Sequence, residues 1–178
     1  MCLSVNLDYH KVKNNKPIAL VAKQSILVYK VLEVEGKHYC TPFQYKTINF
    51  DDEYGMFFYK TTRFSIDKTC LYLSNGHKCA YNAYNVLKGI HSYIDFDEAN
   101  YTNDYIKGLC GSNPNIHYAI IPKGSKFYIG YHCEDIVSSN LVVFKNKTKY
   151  NKNKKYFGDK PIELSEYLEK FGTELDSK

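Results

Sequence analysis

With 178 residues, 44% of them apolar and 24% charged, the chain is long enough to build a core and too apolar to stay disordered. Its net charge of +5 carries a single arginine, Arg63, which argues against specific base readout and leaves lysine-driven electrostatic attraction to an acidic partner. No apolar run approaches the roughly 20 residues of a membrane helix, and residues 1–16 lack the apolar centre of a secretory signal, so the expectation is a cytoplasmic protein with reduced thiols and no membrane partner.

Eighteen Tyr and ten Phe without any Trp favour strands and half-buried surfaces, which predicts more sheet than helix. Residues 1–24 are polar and mixed, with Lys11, Lys13 and Lys16, and read as an N-terminal arm. An α+β core domain is expected over 25–144. It opens with the strand Ser25 to Val34, turned at Glu35-Gly36 and returned through Lys37 to Phe43 as a hairpin. Short β-like pieces follow, including Gly55 to Lys60. Ala80 to Leu87 is ambiguous, because Tyr81, Tyr84 and Leu87 would share one helical face. Gly89 to Ile94 reads as a strand.

Asp95 then caps an internal helix to about residue 107, with Asp97 and Glu98 in its first turn and Phe96, Ala99, Asn103 and Ile106 inward. A loop is expected over Cys110 to Asn115. Ala119 to Gly130 reads as strand, tight turn at Pro122-Lys123-Gly124, and strand, a pair in the sheet. Residues 145–160 read as a solvated lysine-rich linker. A C-terminal helix and tail occupy 161–178, with Leu164, Tyr167, Leu168 and Phe171 at helical spacing. The predicted fold is thus a twisted, mostly antiparallel sheet with one internal and one C-terminal helix.

Two surfaces are candidate binding sites: the lysines Lys145, Lys147, Lys149, Lys152, Lys154 and Lys155, and the tyrosines Tyr81, Tyr84 and Tyr93. Together, lysine and tyrosine suit a protein or RNA partner, or a small nucleotide signal. His38 with Cys40, His77 with Cys79, and His132 with Cys133 lack the tight paired spacing of structural zinc sites, so no metal is expected. Cys2 would become an N-terminal nucleophile if Met1 were removed, but Leu3 stands where the amidotransferases of that class have glycine. No phosphate-cradling Gly-x-x-x-x-Gly-Lys-Ser/Thr or dinucleotide Gly-x-Gly-x-x-Gly is present. No committed catalytic residue and no cofactor follow from the residues themselves.

The order Tyr29-Lys30, His91-Ser92-Tyr93, Glu134-Asp135 resembles that of ADP-ribosyltransferases. This resemblance implies an NAD-using enzyme with Lys30, Ser92 and Glu134 in one cleft; Lys30 stands in place of the family's arginine. The segments Met1-Cys2-Leu3, Val28-Tyr29-Lys30-Val31, Gly89-Ile90-His91-Ser92 and Ile121 to Gly130 resemble small bacteriophage and prophage accessory proteins. That resemblance implies a viral, non-enzymatic protein acting in the host cytoplasm by binding a host protein, as an inhibitor of a bacterial immune system. A virion structural or scaffold component is a further alternative, and it would self-associate.

Overall fold

The computed structural model describes residues 3–35, 38–41, 47–72, 78–110, 113–130 and 135–172. Its strands in chain order are β1 (Leu3–Ser4), β2 (Val12–Lys13), β3 (Lys16–Pro17), β4 (Leu20–Val21), β5 (Ile26–Glu35), β6 (His38–Cys40), β7 (Thr47–Ile48), β8 (Met56–Lys60), β9 (Ser65–Tyr72), β10 (Lys78–Lys88) and β11 (Ile90–Tyr93). After helix α1 (Phe96–Cys110) come β12 (Asn113–Ile121), β13 (Lys126–Ile129), β14 (Asp135–Ser138) and β15 (Asn140–Phe144). Then follow α2 (Lys147–Asn153), a 3-10 turn (Lys154–Phe157) and α3 (Leu164–Phe171). The α+β class, dominated by sheet, is what the sequence predicts. Every strand pair among the described residues is antiparallel; the one parallel contact is the isolated bridge between Ile26 and Ile162.

The body is one large sheet in the order β4-β13-β14-β11-β5-β12-β15-β8, extended by β6 and β7 along β5. Its spine is the β5–β12 pair, in register from Ile26↔Ile121 to Val34↔Asn113. Alternation sorts the spine's side chains onto two faces. One face carries Ile26, Val28, Leu32, Ala119, Ile121, Phe127, Ile129, Ile136, Leu141 and Val143 into the main core, closed by Ile162, Leu164 and Tyr167 from α3 and its approach. Each such aliphatic or aromatic side chain, fully buried, contributes about 1.5–3 kcal/mol over leaving it in water. The opposite face carries Tyr29 and Val31 against Ala99 and Ile106 of α1, and Ile120, Val142 and Phe144 against Tyr150 of α2. A smaller sheet, β1-β10-β9, packs Leu3, Tyr84 and Val86 on Tyr128 and Val137.

Four expectations change. Residues 145–160 are no linker: Asn146 caps α2 by accepting from the Lys149 amide at 2.9 Å, and Tyr150 and Asn153 are buried. Lysine content hid a helix whose inward positions are few but well spaced. Residues 3–24 are no loose arm, because Leu3 and Val5 are buried and the segment is tied to the sheet through backbone. The Asn6 amide donates to Ile129 O, while His10 donates from Nδ1 to Ile18 O and accepts the Ile129 amide on Nε2, each at 2.9 Å. Residues 80–87 are the strand β10 and not a helix, and Asn113 to Asn115 open β12 and are not loop.

The turn at Pro122-Lys123-Gly124 is real, with Gly124 at φ 84 and the Ser125 amide reaching Pro122 O. Its two strands, however, do not pair. β12 lies between β5 and β15, and β13 lies between β4 and β14. The turn is instead claimed by 22–25, since Gly124 N donates to Ala22 O, Ala22 N to Ser125 O, and Lys123 N to Ser25 Oγ. Those bonds carry the chain across the sheet and away from a hairpin. No helix among the described residues is long and apolar enough to cross a membrane.

Candidate functional site

β5 is flanked on its second edge by successive neighbours. Ile162 meets Ile26, β11 touches at Tyr93↔Tyr29, and β6 takes over from Glu33 to Glu35. β11 and β6 therefore part beside Lys30. Extending the Tyr93↔Tyr29 register by one residue sets Ser92 across from Lys30, and His117 of β12 stands across from Lys30 on the other side. Ser92, Lys30 and His117 thus lie on three neighbouring strands, at positions that face the main core.

Lys30 retains some solvent contact as a residue, but its ammonium is enclosed and donates to the His91 carbonyl. Desolvation lowers its pKa to about 8, opposed by the charge of Asp135. His117 donates from Nδ1 to Phe144 O at 3.1 Å, stacks on Phe50 at 5.6 Å and meets Tyr39 edge-on. That hydrogen bond leaves Nε2 unprotonated, and burial holds the imidazole below its usual pKa. Among the described residues neither His117 Nε2 nor Ser92 Oγ finds a hydrogen-bond partner. His91 projects to the other face, and burial, then the Lys30 charge, bring its pKa down to about 4.

A hydroxyl, a weakened ammonium and a free imidazole nitrogen are the groups of nucleophilic chemistry. Their setting opposes that use. Ser92 is 1% and His117 2% exposed, and Ser92 is bonded to no base. The row caps a carbonyl freed where two strands part. Of the three residues that the transferase resemblance implies, Lys30 and Ser92 come together, and Glu134 lies outside the described residues. Sequence reading missed His117; its signal is the polar residue at an inward position between Asn115 and Ala119 in β12.

The predicted tyrosine surface does not hold together. Tyr84 is 5% exposed and packs in the core beneath the small sheet, with the Lys68 ammonium over its ring. Strand alternation puts it inward, where a helical face would have shown it to solvent. Tyr93 is half-buried under α1. The side chain of Tyr81 lies outside the described residues.

The lysines, in contrast, occupy one platform. Tyr150 stacks on Tyr118 at 5.1 Å and meets Phe144 edge-on, and Asn153 Nδ2 donates to Tyr54 O at 2.8 Å. Gly55, at φ 63, lets the stem of Lys149 pass: an added Cβ would stand 2.9 Å from Lys149 Cγ. Lys149 Nζ donates to Glu53 O at 2.8 Å. The ammoniums of Lys147, Lys154 and Lys155 lie 5.1–5.7 Å from the ring centroids of Tyr118, Tyr150 and Tyr156 respectively. Those of Lys145 and Lys152 engage no described group. Tyr156 is 62% exposed and meets Tyr54 edge-on. The platform thus presents positive charge beside the exposed rings of Tyr54 and Tyr156.

Among the described residues no three His, Cys, Asp or Glu side chains gather as metal ligands, and Cys40 is a buried free thiol. No family model, curated protein or solved structure matches the chain.

Proposed function

We propose that the chain is a non-enzymatic binding protein of the phage accessory type, acting in the host cytoplasm on an acidic host protein of a bacterial immune system. The observation that carries the binding reading is the seating of the lysine run. Tyr150 packs α2 on the sheet and Asn153 ties it to Tyr54, so the backbone that carries Lys145, Lys147, Lys152, Lys154 and Lys155 is held in place and is not a solvated linker. The viral source and the immune target rest on the resemblance of the Gly89 to Ser92 and Ile121 to Gly130 segments.

The NAD-dependent transferase reading has the adjacency of Lys30 and Ser92 in its favour and the burial of Ser92 against it. Affinity capture from a bacterial lysate at low and moderate salt separates the readings. One acidic host protein retained at moderate salt supports the binding reading. A heterogeneous, salt-labile set, together with saturable NAD binding to the purified chain, supports the enzyme.

A further inference from the structure

Among the described residues β8 is the last strand of the large sheet and pairs on one side, with β15. The direction of its backbone groups follows from two hydrogen bonds. Thr61 N donates to Ser139 O, so residues 57, 59 and 61 turn their amides and carbonyls toward β15. Asp51 N donates to Met56 O from the other side, so 56, 58 and 60 turn theirs outward. The carbonyl of Met56 is thereby engaged, and the open edge consists of the outward amides and carbonyls of Phe58 and Lys60. No described residue pairs with it. Phe58 is 63% exposed on the same edge, and a bare apolar strand edge is what soluble proteins ordinarily cover.

We propose that this edge pairs with the same edge of a second copy of the chain, antiparallel, with Phe58 of each copy opposite Lys60 of the other. The register is selected by the molecule. Placing Phe58 opposite Phe58 would drive the partner's Lys60 onto the position that Asp51 holds beside Met56. Shifting by one pair centres the twofold axis on Tyr59, lets the amides and carbonyls of Phe58 and Lys60 form four ladder bonds, and brings to that position only Thr62, a bend residue past the end of β8. Opposed residues share a face, so each Lys60 ammonium reaches the exposed Phe58 ring of its partner.

Charge is self-complementary under the same axis. Asp51, Asp52 and Glu53 form a turn at one end of β8, where Asp51 Oδ1 accepts the amides of Glu53 at 2.8 Å and Tyr54 at 2.9 Å. Exposed Arg63 stands beyond the other end. Antiparallel pairing brings the Arg63 of each copy alongside the acidic turn of the other. An edge this short covers less than a standard interface, so the association is weak and concentration-dependent.

Sedimentation equilibrium of the purified full chain tests this. The weight-average mass should climb with concentration from the monomer value toward twice that value and no further. Lys60→Pro deletes one outward amide and spares the amides facing β15, so it should hold the mass at the monomer value with an unchanged circular dichroism spectrum. Phe58→Lys, at an exposed side chain, should do the same and covers the case in which the proline variant unfolds. Arg63→Glu should weaken pairing, and adding Glu53→Arg should restore it. A wild-type chain that stays monomeric at millimolar concentration overturns the proposal and leaves the edge to a strand of another protein. So does a dimer that survives both edge variants.

Discussion

Lys30 and the lysines of α2 are one side chain in opposite settings. Lys30 sits in a row of polar residues at the core, its ammonium spent on the carbonyl of His91 and its pKa brought down to about 8 by burial. Lys152, on α2, and Lys145, just before its cap, stand at the surface with no described partner, and Tyr150 holds the helix from below. The difference teaches where to look for function. A buried cation satisfied by its own fold keeps the fold's pieces together, while lysines on and beside a pinned helix leave their charge at the surface.

The comparison breaks most sharply if the platform fails. Tyr150→Ala removes the ring that joins α2 to Tyr118 and Phe144, and should destabilise the chain by about 3–4 kcal/mol in urea titration, with loss of amide protection in α2. A loss below ~1 kcal/mol would mean that the lysines ride on a loosely held segment after all. Gly55→Ala forces a left-handed backbone on an L side chain and pushes on Lys149, which should cost about 1–2 kcal/mol by the same titration.

The buried setting has a pH signature. His91 and His117 are held below the ordinary histidine pKa, so the unfolded chain binds more protons than the folded one as pH falls from about 6.5. Their contribution to stability is full above that pH and is lost on acidification toward about 4 for His91. Lys30, lowered to about 8, makes stability rise again from about pH 8 toward about pH 10, beyond which Tyr29 and the other buried tyrosines, their pKa values raised by burial, act in the opposite sense. Thermal unfolding across these windows should show both rises, and Lys30→Met should remove the alkaline one alone. A flat alkaline limb in the wild type would place the Lys30 ammonium in water and end the contrast with α2.

The smallest effect belongs to the surface. Lys145→Glu and Lys152→Glu should leave stability within about 0.5 kcal/mol of wild type by the same thermal measurement.

Sheet dominance was legible in the Tyr- and Phe-rich composition and in the nearly unbroken apolar run of Ile26 to Val34, which suits a strand buried on both faces. Pairing was not legible. Ala119 to Ile129 has a sound turn at Gly124, yet the backbone of 22–25, far off in sequence, decides that its strands part. α2 was hidden by its lysines, although Asn146 as cap and Tyr150, Asn153 and Phe157 at helical spacing were present to be read. Tyr84 was misplaced outward because a three-residue spacing looked helical, where burial against Leu3 made a strand. The site row was half legible: the transferase-like order singled out Lys30 and Ser92, but only the register of β12 adds His117.

The most direct measurement compares capture of a host partner by three tagged forms of the chain at moderate salt: wild type, Lys30→Met, and the double variant Lys145→Glu with Lys152→Glu. The account predicts that wild type and Lys30→Met retain the same partner, and that the double variant, equally folded, loses it. Retention by the double variant, or loss confined to a folded Lys30→Met, would contradict the account and move the functional site to the buried row.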